Sequence, residues 1–153
     1  MKRSICAIAC TLISVIAGVT NASEPVAHPH HLAFGVGLAR HIGDNSEFWG
    51  IDYSYTFANK FYMLGFYEQV RGDFNVSAAG VQLGKHFGTG WKMAVGPGVE
   101  TKLKSGKELL LFRSTIGYEW HHERVSFGPT ITYDAIEDLS DVVYAGFNVG
   151  FGF

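Results

Sequence analysis

Val142-Val-Tyr-Ala-Gly-Phe-Asn-Val-Gly-Phe-Gly-Phe153 ends the chain, and its side chains alternate between two faces. The apolar face comprises Val143, Ala145, Phe147, Val149, Phe151 and Phe153. The small or polar face comprises Tyr144, Gly146, Asn148, Gly150 and Gly152. A period of two residues predicts a β-strand. A soluble protein usually buries such an apolar face under a second layer, whereas a membrane barrel turns it to lipid.

The sequence before this strand divides into seven further runs, separated by turn signals such as Asn59-Lys60 and Ser105-Gly106. The runs begin at His31, Phe48, Phe61, Asn75, Trp91, Leu110 and Val125. In the third run the alternation is ambiguous. We place Tyr62, Leu64 and Phe66 on its lipid face, and the opposite phase fits nearly as well. Because Pro97 lacks a backbone donor, we expect a local irregularity in the fifth strand.

Eight strands form the smallest membrane barrel, and the bulk composition fits this class. Among 153 residues, 47% are hydrophobic and 19 are glycine, yet no apolar stretch after residue 22 approaches the ~20 residues of a membrane helix. We therefore predict an all-β fold, an eight-stranded antiparallel up-and-down transmembrane β-barrel over residues 31–153. Both chain ends then lie on one side, predicted to be periplasmic, with turns at 59–60, 88–90 and 122–123. The remaining connections, at 43–46, 72–73, 104–107 and 135–141, are predicted to be extracellular.

Aromatic residues cluster around the predicted periplasmic turns, as they do in the interfacial girdle of membrane barrels. The cluster comprises Phe57, Phe61, Tyr62, Phe87, Trp91, Tyr118 and Trp120. A lipocalin-like soluble barrel of eight strands is the alternative, and it would hold these aromatics inside around a ligand. The inward-facing glycines and charges would make a poor ligand cavity, which favours the membrane barrel.

The N-terminal residues have the pattern of a cleaved signal peptide. Lys2 and Arg3 form a positive region, residues 5–19 are apolar, and Thr20-Asn-Ala22 offers small residues at the cleavage positions. We predict a signal peptide over residues 1–22 and a periplasmic N-terminal arm over residues 23–30. Both cysteines of the chain lie in the predicted signal peptide, so we expect no disulfide in the mature protein.

The terminal aromatic strand resembles the closing strand of bacterial outer-membrane β-barrel proteins, and residues 31–153 are similar in size and pattern to the small eight-stranded members. The resemblance implies that Phe151 and Phe153 form the signal that the barrel insertion machinery reads. It also implies the bacterial outer membrane as the location, with outer-membrane lipids and lipopolysaccharide as neighbours. We expect a monomer. Beyond Lys102, Lys104 and Lys107 there is no basic cluster, so no nucleic-acid partner is predicted.

Charged residues occupy several positions that the alternation directs into the barrel lumen. They are Asp52, Lys92, Glu100, Lys102, Arg113, Glu119 and Asp134. Because a lone buried charge is costly, we predict that these residues form a network of ion pairs. A turn centred on Ser105-Gly106 would bring Glu100 within reach of Arg113. A turn centred on His122-Glu123 would set Thr132 opposite Arg113 and Asp134 diagonal to it. An eight-stranded barrel is narrow enough for such side chains to plug it.

Three motifs suggest other chemistry, and each has a simpler interpretation. Arg71-Gly-Asp73 spells an integrin-binding tripeptide, but Gly and Asp are ordinary turn residues. His28, His30, His31, His121 and His122 are predicted to lie near one another, but no cysteine or carboxylate completes a metal site. His41, Ser46 and Glu47 are the residue types of a hydrolase.

Some small outer-membrane barrels are lipid A deacylases or acyltransferases, and this chain resembles them in size and barrel pattern. The deacylases carry a His and a Ser two residues apart on a strand, whereas His41 lies five residues before Ser46. We therefore predict no catalytic residue, no metal and no cofactor. The function predicted first is a structural or surface-interaction role with a plugged, charge-paired lumen. A lipid A-modifying hydrolase or acyltransferase is the alternative, and a small porin for ions or small solutes is third.

Overall fold

The computed structural model describes residues 28–41, 44–72, 75–137 and 141–153, except for the side chain of Ala58. The predicted signal peptide and most of the predicted arm lie outside the described residues. The strands are β1 (His30–His41), β2 (Asp44–Thr56), β3 (Phe61–Val70), β4 (Val76–Phe87), β5 (Trp91–Lys102), β6 (Glu108–Tyr118), β7 (Trp120–His122), β8 (Val125–Ile136) and β9 (Val142–Gly152). A short 3-10 turn spans Ala58–Lys60. In the described part of the chain, no helix is long and apolar enough to cross a membrane.

The strands close into an antiparallel up-and-down barrel, as predicted. From β1 to β6 each strand pairs with the next, β8 pairs with β9, β1 pairs with β9, and both β6 and β7 pair with β8. The register on β8 continues unchanged from Gly117↔Thr130 to Trp120↔Phe127, so β6 and β7 act as one strand. The break falls where that register sets Tyr118 opposite Pro129, which has no N–H to donate to the ladder. The barrel therefore has eight strands in effect.

The second proline in the sheet has a similar effect. The pairing of β4 with β5 passes from Gly80↔Gly98 directly to Leu83↔Val95 without a change of register. The gap includes Pro97, so the predicted irregularity is present and involves no bulge. A proline can thus sit inside this sheet at the expense of local ladder bonds.

The outer surface of the barrel is apolar and the inner surface is mixed. Outward side chains such as Leu38, Leu110 and Ile131 are 54%, 63% and 55% exposed, and the same holds along the apolar face of β9. An apolar surface that encircles a protein is typical of a membrane-embedded one. Most aromatics of the predicted girdle also face outward, which excludes the lipocalin-like arrangement.

The predicted phase of the third strand is wrong. Tyr62, Leu64 and Phe66 face the lumen and are at most 8% exposed, whereas Met63 and Tyr67 face outward. The pairing of β3 with both neighbours is continuous, so no bulge changes its phase. Glu68 explains the choice, because it shares the face of Tyr62 and its carboxylate would otherwise point into lipid. Tyr62 is consequently not part of the aromatic girdle.

The two ends of the barrel differ in their connections. The terminal end carries both chain ends, where the backbone of His30 and Phe153 exchanges two hydrogen bonds of 3.2 and 2.9 Å. It also carries the turns at 57–60, 88–90 and 123–124. The opposite end, called here the distal end, carries the connections at 42–43, 71–75, 103–107 and 137–141.

The first distal connection is shorter than predicted. Asp44 pairs with His41 and Ser46 pairs with Ala39, so residues 44–46 belong to β2 and not to a turn. At the terminal end Asn59 and Lys60 have positive φ angles of 66° and 63°, as tight hairpin turns require.

Candidate functional site in the barrel lumen

The lumen has two unlike halves. The distal half is filled by buried apolar side chains from most of the strands, namely Ala39, Val70, Val76, Leu109, Leu111, Ile136 and Val142. The terminal half contains a cavity of about 430 Å³ whose rim includes residues of the turns at 88–90 and 123–124. Between the two halves lies a layer of buried charged and aromatic side chains.

Arg113 is the centre of this layer and is 2% exposed. Its Nε and Nη2 donate to the two carboxylate oxygens of Asp134 at 2.7 and 2.6 Å. Its Nη2 also lies 2.7 Å from Oε2 of Glu68. That contact is ionic, because the N–H is not aimed at the Glu68 oxygen as a hydrogen bond requires. One guanidinium thus serves two carboxylates from different strands, which its planar fork of five donors allows.

Aromatic rings enclose the same guanidinium. Its central carbon lies 4.0 Å from the ring centre of Phe66 and 5.2 Å from that of Tyr144. Phe48 packs edge-on against Tyr144, with their ring centres 5.3 Å apart. These rings exclude water from the ion pairs and add cation–π attraction. We call Arg113, Glu68, Asp134, Phe48, Phe66 and Tyr144 the Arg113 cluster.

A hydrogen-bonded layer adjoins the Arg113 cluster on its terminal side. Thr115 Oγ1 lies 3.2 Å from Thr132 Oγ1 and 3.2 Å from the side-chain nitrogen of Gln82. The same Gln82 nitrogen donates to the backbone oxygens of Ala94 and Arg113 at 3.5 and 3.4 Å. The space left at this level is a void of about 30 Å³, against about 430 Å³ in the terminal cavity. Packed side chains therefore fill the lumen here.

The register predicted around Arg113 is wrong by two residues on both sides. Arg113 lies opposite Gly96 on β5 and directly opposite Asp134 on β8. Each turn is centred one residue from the predicted point, because Lys102 N bonds to Lys107 O in one hairpin and His122 pairs with Val125 in the other. A shift of one residue at the centre moves the pairing by two and leaves every side chain on its predicted face.

This shift decides which acids contact Arg113. Asp134 moves closer than predicted, and Glu100 moves away to lie opposite Leu109. The predicted contact between Arg113 and Glu100 is wrong. The second carboxylate is Glu68 of β3, which lies on the face of that strand predicted to meet lipid. The high free-energy cost of an unpaired carboxylate facing lipid is the signal in the sequence that could have revealed Glu68.

Lys92 and Glu119 form a second ion pair, at the floor of the terminal cavity. Lys92 Nζ lies 2.6 Å from Glu119 Oε1, and both residues are buried. Glu119 occupies the break between β6 and β7. Asp52 also borders this cavity, Glu100 is buried nearer the distal end, and Lys102 is half-buried at the end of β5. None of these three forms an ion pair with another residue that the structure describes.

Several histidines line the terminal cavity. His31 Nε2 lies 2.7 Å from Ser126 Oγ, His121 Nε2 lies 3.7 Å from Glu119 Oε2, and the His86 ring packs on Tyr62. His30 instead faces outward and stacks on Phe153. No group of three His, Cys, Asp or Glu among the described residues is arranged to hold a metal ion.

The other predicted motifs lie at the distal end of the barrel. Ser46 is buried on the lumen side of β2 opposite Ala39, and His41, two residues from Ala39, ends β1 opposite Asp44. Arg71 and Gly72 lie in a distal connection, and Asp73 lies outside the described residues.

Comparison with known proteins identifies the fold. No family model and no curated protein matches the chain. Among solved structures, the N-terminal β-barrel domain of Pseudomonas aeruginosa OprF superposes with a TM-score of 0.55 at 15% identity, covering 80% of this chain and 97% of that domain. Neisserial surface protein A gives 0.54 at 9% identity, covering 81% and 96%. The Yersinia pestis outer membrane protein Ail gives 0.52 at 15% identity, covering 80% and 99%.

All three are outer-membrane barrels, so the comparison confirms the predicted fold and the predicted resemblance to small eight-stranded outer-membrane barrels. A closed barrel with an apolar outer surface is the fold that the predicted location in the outer membrane requires. At these identities the likeness shows the fold alone.

Proposed function

We propose that the protein is a closed outer-membrane barrel with a structural or surface-interaction role, and that it conducts neither ions nor solutes. The observation that carries this proposal is the Arg113 cluster, which fills the lumen together with the apolar side chains of the distal half. Breaking or moving a buried ion pair is costly, so thermal motion does not readily open a path through it. The proposed neighbours are outer-membrane lipids and lipopolysaccharide, and the proposed state is a monomer.

The orientation follows from the connections. In outer-membrane barrels the short turns are periplasmic and the longer loops are extracellular. Three of the four distal connections span five residues, whereas the terminal turns span two to four. The distal end is therefore the proposed extracellular surface. The terminal cavity then opens to the periplasm and ends blindly at the Arg113 cluster.

A lipid A-modifying hydrolase and a small porin rank below this proposal. Lipid A would lie against the outer face of the barrel, whereas Ser46 is buried on the lumen side. A porin needs a continuous water path, whereas the void beside the Arg113 cluster is only about 30 Å³.

Planar-bilayer recording tests the closed lumen. The wild type should give no steady single-channel current. Arg113→Ala tests whether the Arg113 cluster closes the lumen. It should show transient currents that the wild type lacks, because it removes the side chain that joins two walls of the barrel. A large, stable wild-type current that Arg113→Ala leaves unaltered would contradict the proposal and place the porin first.

The C-terminal residues are the proposed insertion signal. Phe153 is outward-facing and half-exposed, and its backbone bonds to His30 where the barrel closes. Deleting Phe153 should reduce the folded fraction in outer-membrane preparations much more than deleting Ser105, which lies in an exposed distal turn. The folded fraction is measured by the faster migration of unheated barrels in gel electrophoresis. Equal folded fractions for the two deletions would remove this role from Phe153.

A further inference from the structure

Lys85 is a charged residue on the outer face of the barrel, near the terminal end of β4. It shares this face with Val81 and Leu83, which are 53% and 49% exposed to the lipid side. Its cross-strand neighbours are Phe61 on β3 and Met93 on β5. A lysine in this position is costly unless its ammonium reaches the membrane interface or an anion.

Two aromatic rings hold the ammonium of Lys85 at the outer surface. Its Nζ lies 4.6 Å from the ring centre of Phe61 and 5.9 Å from that of Phe87, and the residue is 8% exposed. Cation–π contacts offset part of the lost hydration but leave the positive charge in place. No carboxylate of the described residues forms an ion pair with it. The charge therefore lacks a protein counter-ion.

The side-chain cover of the outer face has a gap at Gly65, toward the membrane centre from this ammonium, and we call this gap the furrow. Gly65 lies on the outer face of β3 between Tyr53 of β2 and Val81 of β4. A Cβ at Gly65 would meet nothing within 4 Å, so the position is open space. Gly65 is four residues from Phe61, roughly 13 Å along the strand, a distance that an acyl chain spans easily.

We propose that Lys85, Phe61 and Phe87 bind the phosphate of an anionic phospholipid, with one acyl chain lying in the furrow over Gly65. Charge complementarity selects the headgroup, because the ammonium lacks a protein counter-ion at the depth where lipid phosphates lie. The furrow favours binding of a lipid over free phosphate, because an acyl chain can pack on the apolar surface there and inorganic phosphate has no acyl chain. This site is on the outside of the barrel and is independent of whether the lumen conducts.

Native mass spectrometry in a neutral detergent tests the site. Wild-type protein is titrated with phosphatidylglycerol, with phosphatidylcholine of the same acyl chains, and with inorganic phosphate. The wild type should prefer phosphatidylglycerol over phosphatidylcholine and should not bind inorganic phosphate in the same range. Loss of one interfacial lysine contact in Lys85→Met should weaken phosphatidylglycerol binding about fivefold.

Three further variants distinguish loss of the Lys85 site from the effects of net charge and of misfolding on lipid binding. Lys85→Arg keeps a cation and should retain the binding. Lys60→Met removes an equal charge from the rim of the terminal cavity and should bind as the wild type does. Gly65→Leu fills the furrow and should weaken phosphatidylglycerol binding with Lys85 intact. Each variant is first checked for the unheated gel shift of a folded barrel.

Equal phosphatidylglycerol affinity of wild type and Lys85→Met would overturn the proposal. So would an equal loss in Lys60→Met, because net charge alone would then explain the binding. Competition by inorganic phosphate in the same concentration range would indicate a free-anion site instead of a lipid site.

Discussion

The Arg113 cluster and the terminal half of the lumen accommodate buried charge in different ways. In the Arg113 cluster, one cation contacts two carboxylates within a shell of aromatic rings, and Asp134 is 0% exposed. In the terminal half, Lys92 pairs with Glu119 at the floor of a cavity of about 430 Å³ that reaches the barrel end. Removing one partner of similar ion pairs should therefore cost different amounts of folding free energy, because water can replace a lost partner only where it has access.

The largest expected effect comes from removing the central cation. Arg113→Ala leaves Glu68 and Asp134 as two buried carboxylates without a counter-charge, and breaking such a pair typically costs ~3–5 kcal/mol. We expect a loss of this size in the free energy of unfolding, measured by urea titration in lipid vesicles with tryptophan fluorescence.

A matched triple variant sharpens this result. Arg113→Met combined with Glu68→Gln and Asp134→Asn removes all three charges, so it should recover much of the lost stability. A loss below about 1 kcal/mol for Arg113→Ala alone is what exposed ion pairs give, and it would show that water reaches the Arg113 cluster.

A smaller loss is expected at the floor of the cavity. Lys92→Met leaves Glu119 without its cation, but water in the cavity and His121, 3.7 Å from Oε2, remain near the carboxylate. We expect a loss of about 1–3 kcal/mol by the same titration. If Lys92→Met lowers the free energy of unfolding more than Arg113→Ala does, the proposed difference between the Arg113 cluster and the terminal half is wrong.

Thiol labelling compares the two halves without changing their charges. Both natural cysteines lie within residues 1–22, so a chain produced from residue 23 has no background thiol. Ser54→Cys places a thiol at the terminal cavity, and Ser46→Cys places one in the filled distal half. A water-soluble maleimide should modify Ser54→Cys much faster. Equal rates would indicate that water enters both halves.

The effect expected to be smallest concerns a cavity histidine. His86→Ala removes a ring that packs on Tyr62 at a centre distance of 4.7 Å beside an existing cavity. Because space and water are already present there, we expect a change within about 0.5 kcal/mol. A loss comparable to that of Lys92→Met would show that the histidines support the terminal half structurally.

The positions of the strands and the faces of their side chains were largely predictable; β9 shows where this succeeds and β3 where it fails. The face of β9 that meets lipid carries only apolar residues, so one phase is possible. Both faces of β3 carry large aromatics, Tyr62 and Phe66 on one and Phe61 and Tyr67 on the other. Hydrophobicity alone leaves such a strand ambiguous, and the position of Glu68 decides it.

The alternation along the chain by itself determined the barrel class, the strand count and the residues that face lipid in seven of the eight strands. It could do so because each side chain of a strand faces one of only two environments, and in a membrane barrel these are lipid and lumen. Which charges meet depends on the register and closure of the folded barrel. Turn centres one residue from their predicted positions shift the pairing by two, and that sets Asp134 opposite Arg113. Glu68 reaches Arg113 from a strand three positions away in the sheet, because closure of the barrel brings β3 and β6 face to face across the lumen.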